Sequence, residues 1–162
     1  MINITFKDGN SKQYESGVTI LDIANDISKS LKKKSVAGYV NDELYDLNRP
    51  IEQDATVDII TKDDEEALNV LNHSTAHLMA QAVKRLYKDA KFGVGPAIKE
   101  GFYYDIATEH TIKEEDLPKI EQEMRRIIKE QTEMEREEIS KDVALERFKD
   151  DPYKIELIND LD

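Results

Sequence analysis

The chain has 162 residues, with 23 Lys and Arg against 35 Asp and Glu and a formal charge of −12, a length that suits one domain or two small ones. Apolar residues make up 39% and charged residues 36%, too charged for a membrane protein and too apolar for a disordered chain. No apolar run approaches the roughly 18–20 residues of a membrane span. The opening Met1-Ile2-Asn3-Ile4-Thr5-Phe6 lacks the pattern of a secretory signal. With no cysteine, disulfides, thiolate nucleophiles and cysteine zinc sites are excluded within the chain, and a cytoplasmic location is the expectation.

The acidic balance argues against wrapping by nucleic acid, which needs clustered Lys and Arg. Its distribution is uneven. Residues 1–62 carry 8 basic and 10 acidic side chains, whereas residues 63–162 carry 15 and 25. Two domains are therefore expected, 1–62 and 63–162. Lys29, Lys32, Lys33 and Lys34 form the only dense basic cluster, either a solvated helix end favoured by the macrodipole or a phosphate contact.

In chain order, Ile2, Ile4 and Phe6 alternate with polar residues as in a half-buried strand, and Asp8-Gly9 signals a tight turn into a partner strand over 11–15. Thr19 with Asp22 forms a weakened capping box. The helix behind it carries Ile20, Ile23, Ala24, Ile27 and Leu31 on one stripe and ends at the lysines. Short strands are expected over 36–40, 43–46 and 57–60. This is a small α+β unit with one helix on one sheet, and nothing in it looks catalytic.

From Asp63 the chain is acidic and then apolar-periodic, predicting a long helix to about Leu86. Within it His73 and His77 are four apart, which places their β-carbons about 5–6 Å apart on one face. Such a pair can grip a metal ion, a water or a carbonyl; the other readings are solvated or packed histidines. At 100° per residue Leu71, Thr75, Leu78, Ala82 and Leu86 form the apolar stripe, with Met79 and Val83 at its edge and the histidines roughly opposite. Without the Glu of HExxH, a metalloprotease is a poor reading.

Residues 92–98 and 101–105 read as two strands around a turn. The Gly93-Val94-Gly95 step suits a bend or close backbone approach better than a phosphate loop. Adjacent Tyr103 and Tyr104 should face opposite sides. A second, charged helix is expected over about 115–133, with Leu117, Ile120, Met124 and Ile127 as its apolar stripe and Pro118 in its first turn. A strand follows over 134–139 and a short helix over 143–148, before Pro152 interrupts.

Two sets of motifs carry a resemblance. Phe6-Lys7-Asp8-Gly9, Thr19-Ile20-Leu21-Asp22-Ile23-Ala24, Ala37-Gly38-Tyr39-Val40-Asn41 and Val57-Asp58-Ile59-Ile60-Thr61 resemble the TGS domain, a ubiquitin-like β-grasp module. His73-Ser74-Thr75-Ala76-His77-Leu78, Gly95-Pro96 and Gly101-Phe102-Tyr103-Tyr104-Asp105 resemble the editing domain of bacterial threonyl-tRNA synthetases. The likeness implies an α+β chain: a β-grasp TGS domain, then an incomplete α+β editing domain built on the HxxxH helix, a β-hairpin and the charged helix.

That family joins threonine to its tRNA with ATP and hydrolyses serine wrongly attached to it. One methylene-sized difference gives only about 1–3 kcal/mol of discrimination, so a second, hydrolytic site is needed. The resemblance implies that His73, His77 and Lys154 act in that site and that Tyr104 lies against the terminal adenosine. It implies tRNA(Thr) and its seryl-charged form as partners, no membrane, and a parent homodimer formed through other domains.

The family's site also draws on a later Asp and Cys in a CxxxH-like pattern, ahead of which this chain ends; alanyl relatives bind zinc with HxxxH plus that Cys and His. No cofactor is therefore expected within this chain, and ATP and Zn belong to a catalytic domain outside it. A truncated domain predicts an unpaired sheet edge and looseness near 134–162. The alternatives are a stand-alone trans-editing aminoacyl-tRNA deacylase, or a non-enzymatic TGS-type binding module.

Overall fold

The computed structural model describes residues 1–133 and 135–161 and divides the chain into two compact units, Met1–Leu71 and Asn72–Asp162.

In the first unit, strands β1 (Ile2–Phe6) and β2 (Ser11–Tyr14) form an antiparallel hairpin, Ile2 opposite Tyr14. Gly9 closes the turn at φ 86°, a left-handed conformation that glycine adopts without steric cost. The short β3 (Val18–Thr19) leads into helix α1 (Ile20–Ile27). The Thr19 hydroxyl accepts the Asp22 N–H at 3.1 Å while Asp22 accepts the Thr19 N–H at 3.1 Å, the reciprocal cap expected from sequence.

The single helix expected through to the lysines is instead two. Ser28 is extended (φ −167°, ψ 150°), and its side chain accepts the Leu31 N–H at 3.0 Å, starting α2 (Lys29–Lys34). A serine hydroxyl competes well for backbone donors, so it ends one helix and caps the next.

Strands β4 (Ser35–Val40), β5 (Glu43–Tyr45), β6 (Pro50–Ile51) and β7 (Ala55–Thr61) follow. The main sheet runs β2-β1-β7-β4-β5, with β1 and β7 parallel in its middle, and β3 pairs separately with β6. α1 packs Ile20 and Ile23 onto Ile2, Ile4, Val40, Ile51 and Val57. This α+β unit is the β-grasp arrangement expected from the sequence. Ala67, in the first turn of α3 (Glu65–Leu86), is buried with Ala37 and Ile60.

In the second unit α3 continues from Asn72. The chain then forms β8 (Lys91–Phe92), β9 (Ala97–Ile98), β10 (Gly101–Phe102) and β11 (Ile106–Ala107). β9 pairs with β10 and β8 with β11. Hydrogen bonds from Gly93 N to Asp105 O and from Asp105 N to Val94 O, both 2.9 Å, join the two ladders into one interrupted hairpin.

A 3-10 turn (Glu114–Asp116) opens α4 (Leu117–Glu130), with Pro118 in its first turn. Ile120 and Ile127 of α4 bury against Ala82 and Val83 of α3. Leu117, expected in that stripe, is 54% exposed, and Glu123 is buried in its stead at 7%. Arg126 at 3.1 Å and Arg85 at 3.4 Å compensate the Glu123 carboxylate, and Arg85 also grips Glu130 with both terminal nitrogens at 2.7 and 2.8 Å.

The strand expected over 134–139 is not formed: residues 135–139 have no regular structure, and Met134 lies outside the described residues. With Glu135, Arg136, Glu137 and Glu138 in succession, the stretch lacks an apolar face to bury. Helices α5 (Lys141–Arg147) and α6 (Pro152–Asn159) follow, so the described part of 134–161 holds helices and no strand. Pro152 starts α6 rather than interrupting, because a first-turn position needs no N–H from it.

A β-carbon built on Gly38 of β4 would stand 2.7 Å from Ile20 Cδ1 and 3.2 Å from the Asp58 carbonyl oxygen. Gly38→Ala should therefore destabilise the first unit by about 1–3 kcal/mol through overpacking of α1 on the sheet, read from urea unfolding.

Candidate functional site

The phase of α3 decides where its histidines point. Ala76, Ala82 and Val83 are buried, with Leu78 and Met79 half-buried beside them, whereas Leu71 and Leu86 of the expected stripe are exposed. The buried face thus keeps Leu78, Ala82 and the Met79–Val83 edge of the expected stripe and extends to Ala76. His73 and His77 remain on an exposed face, as their spacing predicted.

The two rings meet edge to face, centroids 4.6 Å apart and planes at 86°, with the Nε2 atoms 3.0 Å apart. At that separation one Nε2–H donates to the other's lone pair, so the contact carries at most one proton between those two nitrogens. Burial pushes the His77 imidazole below its ordinary value, and the positive charges of His73 and Lys154 act in the same direction. A neutral imidazole at neutral pH can accept a proton from water.

Lys154 stands in the first turn of α6, where the Asp151 side chain accepts the Tyr153 and Lys154 N–H groups at 3.2 and 3.3 Å. Its ammonium lies 4.3 Å from the centroid of the Phe148 ring, a cation–π contact that holds the long side chain in place. The structure brings the Lys154 charge within electrostatic reach of His77.

Tyr104 lies elsewhere in the same unit, lining a cleft of about 420 Å³ with Gly93, Asp105, Ile106, Ala107 and Tyr153. Its ring meets Phe92 edge-on at 5.4 Å, and a β-carbon on Gly95 would come within 2.5 Å of it. Gly95 is therefore a site of close approach, with Tyr104 seated on its backbone. Tyr103 is 52% exposed and Tyr104 half-buried; both lie beyond the two-residue β10, so the strand expected through Asp105 ends at Phe102. The histidines do not line this cleft. Tyr153, next to Lys154 in the chain, does, and sequence reasoning passed over it; the only signal was its adjacency to the lysine.

The third histidine serves a different arrangement. His110 Nε2 lies 3.0 Å from the buried Asp116 carboxylate and its ring stacks on Tyr87 at 4.9 Å. The Lys113 N–H and His110 hold Asp116 below the usual carboxylate range. Among the described residues no group of three or more His, Asp or Glu side chains is placed to hold a metal ion. No helix among them is long and apolar enough to cross a membrane.

Residues 2–61 match the family model described as the TGS domain. Over 163 residues, 99% of this chain, the sequence is 56% identical to the threonine–tRNA ligase of Anoxybacillus flavithermus, of which it spans 25%. It is 55% identical over 98% of its length to that of Staphylococcus carnosus, spanning 24% of it. With that of Streptococcus uberis the identity is 58% over 99% of the chain, spanning 25% of the relative. The chain thus spans about a quarter of the length of the curated relatives it matches.

Because protonated His77 is disfavoured in the folded chain, this contribution to stability is fully present above the ordinary value near 6.5 and falls as pH drops through it. In an NMR titration the His77 ring should titrate below 6.5, and Lys154→Met should move its midpoint upward. An unchanged midpoint would show that the lysine charge does not reach the ring.

Proposed function

We propose that this chain, which matches bacterial threonine–tRNA ligases along 99% of its length and opens with a TGS domain, is the region of such a ligase that binds tRNA and hydrolyses serine wrongly attached to tRNA(Thr). The joining of threonine to tRNA with ATP is proposed for the whole ligase, as are its cytoplasmic location and its assembly as a homodimer.

The observation that carries the editing reading is the outward-facing His73–His77 contact, with no carboxylate partner among the described residues and His77 biased toward its neutral form. In the proposed reaction a water attacks the ester carbonyl of seryl-tRNA. His77 accepts a proton from that water while His73 fixes the water or the ribose end of the ester. The Lys154 ammonium faces the developing oxyanion. The carbon–oxygen bond to the ribose then breaks, the ribose oxygen takes the proton from the histidine, and serine and uncharged tRNA leave. Tyr104 is assigned to the terminal adenosine, with the cleft of about 420 Å³ that it lines as the candidate seat.

The test is hydrolysis of seryl-tRNA(Thr) by this chain and by a full-length ligase carrying it. In the full-length protein His73→Ala or His77→Ala should slow hydrolysis by about 10²–10⁴-fold, the usual contribution of a positioned acid or base, and leave threonine charging intact. Both histidines are exposed, so the substitutions should not unfold the unit. Unchanged hydrolysis in both variants refutes the site. Full hydrolysis by this chain alone would favour the stand-alone deacylase.

A further inference from the structure

Helix α2 carries a charge arrangement that its own stability does not explain. Lys29, Lys32 and Lys33 stand at i, i+3 and i+4, which puts three ammonium groups on one face. Like charges at that spacing oppose the helix. A helix C-terminus favours cations, which accounts for Lys32 and Lys33 but not for Lys29, the first helical residue, where the macrodipole disfavours one.

Nearby acids are engaged elsewhere. Asp26 accepts from Lys12 at 2.6 Å and from Tyr14 at 2.8 Å, Asp22 closes the cap of α1, and Asp63 pairs with Lys34 at 3.0 Å. Among the described residues Lys29, Lys32 and Lys33 have no ion-pair partner, in a chain with 35 acidic side chains. No residue of α2 is buried. The Lys62 N–H donates to the Lys34 carbonyl at 2.9 Å, which brings a further lysine's main chain to the same helix end.

We propose that the Lys29, Lys32 and Lys33 face of α2 docks against the phosphate backbone of RNA; this rests on the reading above, in which the partner is a tRNA. Three uncompensated cations on one face match a polyanion, and each neutralised phosphate releases counterions. The rest of this chain is strongly acidic and repels RNA, so contact concentrates at the patch. A membrane surface fits less well. α2 has six residues and one apolar side chain, Leu31, which is half-buried, far short of an interfacial apolar face.

The test is fluorescence anisotropy of the intact chain with labelled, uncharged tRNA across a salt series. The variant Lys29→Gln/Lys32→Gln/Lys33→Gln should lose at least about tenfold in affinity at low ionic strength, and its slope of log affinity against log salt should shrink by about 2 to 3. An unrelated RNA of equal length should show the same loss, because phosphate contacts carry no sequence information. The charge-matched variant Lys88→Gln/Lys99→Gln/Lys119→Gln should bind as the unaltered chain does.

The triple arginine variant of the α2 face should retain binding, and the glutamine variant should melt no lower than the unaltered chain. Unchanged binding in the α2 variant, or equal losses in both glutamine variants, overturns the proposal. So does capture by anionic lipid vesicles that the α2 variant loses while its RNA binding is unchanged. Since the tRNA is uncharged, failure of ester hydrolysis leaves this measurement untouched, and failure here leaves the histidine site standing.

Discussion

The burial of one small-residue face of α3 governs everything the second unit can do. Ala76, Ala82 and Val83 occupy the interior, and a helix turns only 100° per residue, so fixing those three fixes the direction of every other side chain on it. His73 and His77 are carried to a different face by the same rotation. α4 locks the phase through Ile120 and Ile127, and the Arg85–Glu130 fork with buried Glu123 ties the two helices at their polar margin. Two exposed histidines on a loop would sample many separations. On a helix whose rotation is set by packing, their Nε2 atoms meet at 3.0 Å.

The first unit has its own controlling contact, the seating of Ile20 over Gly38, where a methyl group would already collide. That closeness lets a short helix cover a sheet with two parallel central strands and still bury Ile4, Ile20 and Ile23 completely. The unit offers no histidine and no carboxylate pair aimed at a cavity. What it presents is charge on α2, on the far side of the break at Ser28 from the helix that makes the core. One helix serves packing and the other is left to the solvent, which is why the second can hold lysines at every turn.

Local chemistry was readable from sequence wherever a residue's role depended on near neighbours. The alternation of Ile2, Ile4 and Phe6, the Thr19–Asp22 cap and the HxxxH spacing all emerged as the pattern demands. Features that depend on distant partners did not. The α3 stripe holds at Leu78 and Ala82, but its end leucines Leu71 and Leu86 are exposed while Ala76, outside the stripe, is buried. Glu123 falls in a charged stretch that by itself predicts exposure, yet two arginines, one from another helix, allow its burial. Ser28 looks like an ordinary helical position until its hydroxyl caps a new helix. The two-residue ladder of β3 with β6 is too short to leave any periodicity. For the site, spacing pairs the histidines, whereas Lys154, far along the chain, joins them in the sequence only through the resemblance; the effect of its charge on His77 follows from the fold.

The second unit also shows how environment separates histidines of different use. His110 sits beside a buried carboxylate and stacks on Tyr87. Asp116, ionised and also bonded to the Lys113 N–H, joins that histidine to the turn that starts α4, so the arrangement is satisfied internally and holds structure. Among the described residues His77 has no such anchor. Its neighbours are another imidazole and a lysine charge, and both oppose its protonation. A carboxylate beside an imidazole favours the imidazolium, whereas a cation beside it preserves the free lone pair. A base that must take a proton from water near neutral pH needs that lone pair, and the cation that preserves it is the group that a developing oxyanion would meet. In the proposed reaction the same lysine would serve both requirements, and replacing it by a carboxylate would reverse each of them.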